Sequence, residues 1–227
     1  NGAGRFEQIG MAWLKHGFCA ADACGCTSIN PNGYPSPTCA PNGSCDWLGL
    51  FATDTYSAGT NANQTTAGPR SEIQAWTSVY PYPYVLGWGQ TGDAIYKRLQ
   101  VDKDDLDPAQ HPGAQYVGEV VYVATDEPVV HRYNNYSTRP VTVGAFSAGQ
   151  YNLSFAGTTT WQQSAVEAWP ALETGVSLVN VDVPGDGRMV LGYKVTDLGG
   201  SQFHYEYALF NLNSDRSGQA LRVPLGT

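Results

Sequence analysis

From Ala94 onward the chain is a succession of short runs that alternate apolar and polar residues, and this period of two restricts its fold more than any other feature. The runs are AIYKRLQV, AQYVGEVVYVAT, STRPVTVGAF, QYNLSFAG, VSLVNVDV, RMVLGYKVTD, QFHYEYALFNL and ALRVPL. Successive side chains of a strand point to opposite faces, so alternation marks strands with one covered face; these runs are also rich in β-branched and aromatic residues. PGDG (Pro184–Gly187) and DLGG (Asp197–Gly200) are turn signals between neighbouring runs. Strands joined by tight turns pair antiparallel. The expected fold is mostly β: an antiparallel β-sandwich, jelly-roll or immunoglobulin-like. TWQQSAVEAWPAL is the helical candidate of this half, ending near Pro170.

The first half reads differently. RFEQIGMAWLKHGF predicts a short strand followed by a helical turn, and RSEIQAW a short helix capped by Ser71. VYPYPYVLGWG is extended, because Pro81 and Pro83 forbid a helix. Between them lies a loop-rich stretch of Gly, Pro, Asn and Thr. No internal repeat is visible. The expected organisation is a loop-rich region, residues 1–93, packed on a sandwich of residues 94–227, with a boundary near residues 86–93 or one continuous unit.

All five cysteines fall in that loop-rich region: Cys19, Cys24, Cys26, Cys39 and Cys45. Cys24 and Cys26 are separated by one residue, and Cys39 and Cys45 by five, which fits no standard zinc knuckle. Haem attachment and redox motifs are absent, and a Cys19–His16 thiol pair would sit unusually inside a cysteine cluster. The stretch CTSINPNGYPSPTCAPNGSC is nearly all turn formers, with little to bury. Disulfides are the favoured reading, each worth roughly 2–4 kcal/mol. Metal and reactive-thiol readings stand behind it. Two bridges use four sulfurs; the fifth is free, or bonded to another chain or to a further segment of this one.

Charged residues are 14% of the chain, against about 25% in ordinary soluble domains. With abundant Gly and Tyr, this profile predicts a secreted, extracellular or cell-surface protein. The net charge of −8 repels phosphate backbones, which argues against nucleic acid as a partner. No apolar run approaches the roughly 20 residues of a membrane-spanning helix. The chain begins at Asn1 without an initiator Met, and the expectation is a mature product or a fragment of something longer.

Three constellations invite a chemical reading. Asp102, Asp104, Asp105 and Asp107, in VDKDDLDPAQHP, are spaced to place oxygens around a hard cation such as calcium, although the run lacks the glycine and terminal Glu of an EF-hand loop. Asp182 and Asp186 read as turn residues. Tyr80, Tyr82 and Tyr84 alternate with prolines and precede Trp88; rings held this way stack on sugars or anchor an interface. In QFHYEYAL, His204, Glu206 and Ala208 share one strand face, opposite Phe203, Tyr205, Tyr207 and Leu209. His16, His111, His131 and His204 are too far apart in sequence to form a local metal site. Glu119 and Glu206 form a nominal glycosidase pair of a kind any chain this long offers. No nucleophile elbow, zincin, P-loop or dinucleotide motif is present.

The blocks GRFEQIGMAWLKHGFCA, GPRSEIQAW, YPYPY, GDAIYKRLQV, DDLDPAQHPGAQY, NVDVPGDGR and HYEYALFNLNSDRS together resemble a family of uncharacterised secreted bacterial proteins of the planctomycete type. The resemblance covers most of the chain. It implies secretion, and longer relatives whose upstream segment carries a further cysteine; it implies no activity.

The function expected from these features is an extracellular, non-enzymatic structural, adhesive or self-assembling protein, with other copies of itself or extracellular polysaccharide as partners. The alternatives are a carbohydrate-binding protein using the Tyr80–Trp88 platform, or a secreted metal-dependent hydrolase built on His16, His204 and acidic neighbours.

Overall fold

The computed structural model describes residues 5–15, 67–81, 96–123, 125 and 127–224. All five cysteines, His16, Tyr82, Tyr84, Trp88 and the expected boundary at 86–93 lie outside the described residues. The chain divides into two units: Asn1–Gly10 with Ile73–Val79 and Val101–Thr227, and Met11–Glu72 with Tyr80–Gln100.

In the second of these, β1 (Leu14–Lys15) pairs antiparallel with β2 (Ala67–Gly68). Arg70–Glu72 is a single 3-10 turn that contains Ser71, so the expected capped α-helix at RSEIQAW does not form. The expected strand in AIYKRLQV is absent over its described residues. Lys97 sits at positive φ (60°) and is buried, its ammonium 5.2 Å from the ring centres of both Trp13 and Tyr96. Cation–π contact holds the ammonium there, while burial pushes the Lys97 pKa down. The expected strand in RFEQI is likewise irregular.

The larger unit is mostly β, as the alternation requires. Its first sheet is a meander of β3 (Tyr116–Val121), β4 (Tyr136–Ser147) and β5 (Gln150–Phe155), with β6 (Thr160–Trp161) also on β4. Ala148 and Gly149, both at positive φ, make the two-residue turn between β4 and β5, the geometry whose twist matches paired strands. The second sheet has the order β7 (Val176–Val183), β8 (Gly187–Gly199), β9 (Gln202–Asn211), all antiparallel. The DLGG signal closes through Gly200 and Ser201, again both at positive φ.

Helix α1 (Ala165–Leu172) touches β7 and β8 on one side and β3 and β4 on the other. Two antiparallel sheets with this helix are consistent with a sandwich. The helix starts firmly. Glu167 accepts from the backbone N–H of Ser164 at 2.8 Å and from its hydroxyl at 2.7 Å, and Glu119 of β3 accepts from Ala165 N–H at 2.7 Å. Val166 and Trp169 press on Gly192, where an added Cβ would lie 3.0 Å from the Trp169 ring. The core gathers here: Val166 and Val190 are fully buried, with Trp169 and Ala168 beside them. Each such valine contributes roughly 1.5–3 kcal/mol. At the end of β9, Tyr136 of β4 packs edge-on against Phe210 and donates its hydroxyl proton to Leu212 O.

The final expected strand, ALRVPL, is irregular over 220–224, and Leu221 and Val223 are exposed.

Candidate functional site

The acidic run folds into a 3-10 turn, Lys103–Leu106, that uses its own carboxylates. Asp102 accepts from Asp104 N–H at 3.0 Å, Asp104 pairs with Lys103, and Asp107 accepts from Ala109 N–H at 2.9 Å. The Lys103 ammonium beside Asp104 holds that carboxyl below its ordinary value. Desolvation first, then the Asp107 carboxylate, pushes the Tyr151 phenol up. Among the described residues, no three His, Cys, Asp or Glu side chains gather as a metal site. His111 and His131 are exposed. Glu119 is committed to the start of α1, on the other sheet from Glu206. Tyr80, half-buried, follows the isolated bridge between Gln74 and Val79.

A shallow groove of about 390 Å³ lies between the 106–116 loop, β4 and the end of α1. Two of its polar groups bond within the protein: Tyr116 donates to Asp105 O at 2.8 Å and Gln115 to Leu172 O at 3.3 Å. His111 lines it, and among the described lining residues there is no carboxylate.

The informative surface is the second sheet. Register puts Val190, Gly192 and Lys194 on the helix side, with Leu178 and Asn180 of β7 and Glu206, Ala208 and Phe210 of β9. The charges sit on this side too. Arg188 pairs with Asp182 at 2.6 Å, Lys194 donates to Glu173 at 2.5 Å, and His204 meets Glu206 at 3.3 Å. The Arg188 guanidinium lowers the Asp182 carboxyl pKa, and the Lys194 ammonium, then the Trp169 N–H, lower that of Glu173 against an opposing burial effect.

The opposite side runs in rows across the three strands: Val179–Leu191–Leu209, Ser177–Tyr193–Tyr207, then Val195–Tyr205. Val181 extends one end, where Met189 is buried beside Gly218, and Phe203 extends the other. Asp197 is the single acidic residue on this side, at its margin, and accepts from Gly199 N–H at 2.7 Å within the hairpin turn. Val179, Val195, Leu209, Phe203 and Tyr205 are 44–53% exposed. The Tyr205 and Tyr207 rings lie parallel, 6.4 Å apart. The sequence already carried the β9 half of this face in the alternation of QFHYEYAL. The β7 half was hidden, because VSLVNVDV is apolar on both sides. Strand spacing and rise give the face a footprint of roughly 400 Å², within the roughly 300–600 Å² of the largest apolar patch on a typical monomer, a patch that is often functional.

No known protein family, curated protein or solved structure matches the chain.

Proposed function

We propose that the protein is an extracellular, non-enzymatic structural subunit that works by associating with other copies of itself. The observation that supports this reading is the outer face of β7–β8–β9, apolar and half-exposed, with charge kept to its other side. A chain of net charge −8 repels its own copies, so contact favours an uncharged surface. Secretion and disulfides among Cys19–Cys45 belong to the same proposal, as does a jelly-roll or immunoglobulin-like type for the fold. The parallel Tyr205 and Tyr207 rings favour polysaccharide as a second reading. Sugars, however, also require polar groups around the stacking rings, and this face supplies few besides tyrosine hydroxyls.

Light scattering of the purified protein across concentration tests the reading. Species heavier than the 24.4 kDa monomer are expected, and Val179→Lys should reduce them without lowering Tm. A monodisperse monomer at high concentration sinks the proposal, and binding on a glycan array would then favour the sugar reading.

A further inference from the structure

We propose that a second copy of the chain pairs with the open edge of β9, antiparallel about a two-fold axis through Tyr205. The inference rests on the self-association reading and names its contact. β9 pairs with β8 on one side, and among the described residues no strand pairs with its other edge. Gln202–Asn211 contains neither Lys nor Pro, the residues that commonly protect an edge from further strands.

The chain itself covers the Leu209 end of the sheet's outer face. After β9 it reverses direction, held by the Asn211 side-chain amide donating to Ser214 O at 2.9 Å and to Arg216 O at 3.0 Å. Gly218 then lies against Leu209 and Met189. Phe203 and Tyr205, at the other end, stay 50% and 53% exposed. A partner strand therefore fits the half from Gln202 to Ala208.

Parity selects the register. Keeping both apolar faces on one side of the joined sheet requires the axis to pass through a residue, not between two. An axis through Glu206 sets like charges against each other. One through Tyr207 brings in Leu209, whose side chain the chain's own tail covers, and sets His204 against the partner's Phe210. One through His204 leaves only five residues in register. With the axis at Tyr205, His204 faces the partner's Glu206 in both halves of the pair. Tyr205 then faces the partner's Tyr205, and Phe203 the partner's Tyr207. A carboxylate accepts from several donors, so the 3.3 Å contact of Glu206 with its own His204 is compatible with the new one. Aromatic and opposite-charge cross-strand pairs are the ones that stabilise sheets.

The test is cross-linking together with sedimentation. Facing β-carbons lie about 5 Å apart, close to disulfide reach, so Tyr205→Cys should oxidise to a dimer whose linked peptides both carry position 205 by mass spectrometry. Tyr207→Cys should link poorly. His204→Glu should weaken self-association about tenfold, and mixing it with Glu206→Lys copies should restore a heterodimer. Linkage through 207 in place of 205, or unchanged association in His204→Glu, overturns the β9 contact while self-association stands. A wild-type monomer at every concentration overturns both.

Discussion

At the residue scale, the turn signal PGDG turned out to hold a buried carboxylate. Asp186 accepts from the Ser214 hydroxyl at 2.5 Å and from Asp215 N–H at 2.9 Å, tying the β7–β8 turn to the turn after β9. Ser214 foremost, then the Asp215 N–H and Arg216, hold the Asp186 carboxyl below its ordinary value of 3.8, while burial opposes them. A carboxyl with a depressed folded pKa stabilises the fold above its unfolded value, and this stability is lost as pH falls through the folded one. Asp186→Asn should thus cost about 2 kcal/mol near neutral pH, the scale of hydrogen bonds to a charged group. By thermal denaturation, its deficit relative to wild type should shrink as pH is lowered below 3.8. A pH-independent deficit would assign the site to shape and not to charge. The sequence identified the turn and missed the partner, since 28 residues separate Asp186 from Ser214.

At the element scale, the alternating runs were legible where the alternation met a matching neighbour. STRPVTVGAF, QYNLSFAG, RMVLGYKVTD and QFHYEYALFNL became β4, β5, β8 and β9 because turns with two residues at positive φ join them in pairs. ALRVPL has the same pattern and stays irregular over its described residues, since no described strand pairs with it. AIYKRLQV loses its strand at Lys97, where the nearby rings of Trp13 and Tyr96 hold the ammonium in a turn. Helix α1 was legible as a helix, but its dependence on β3 was not, because Glu119 lies 46 residues from Ala165. That contact is testable. Glu119→Ala and Ser164→Ala each remove an oxygen or a donor from the helix start and should each cost about 1 kcal/mol by urea denaturation. The double mutant should fall short of the sum, because both changes act on the same helix start.

At the scale of the whole molecule, the decisive feature is the separation of charge from apolar surface across one sheet. Half of it was legible in the alternation of β9; the other half needed the β7–β8 register, which no local pattern contains. The calcium run and the tyrosine–proline stretch stood out more in the sequence; in the run, Asp102, Asp104 and Asp107 each contact their own turn. A face of roughly 400 Å² is half of what a stable partner usually covers, about 800 Å² per side. Edge pairing along β9 would join two such faces into one of roughly 800 Å², which a further pair of copies could cover. The energetics then predict a particular salt response. Copies of net charge −8 repel at long range, and added salt screens that repulsion within about 10 Å at 0.1 M. The apolar contact itself does not weaken with salt. Sedimentation velocity should therefore show association strengthening as NaCl rises from about 20 mM to about 500 mM, on either side of that screening length. A partnership carried by opposite charges would weaken instead. Association that falls with salt would transfer the binding energy to ion pairs such as His204 with the partner's Glu206, and would overturn the role of the uncharged face.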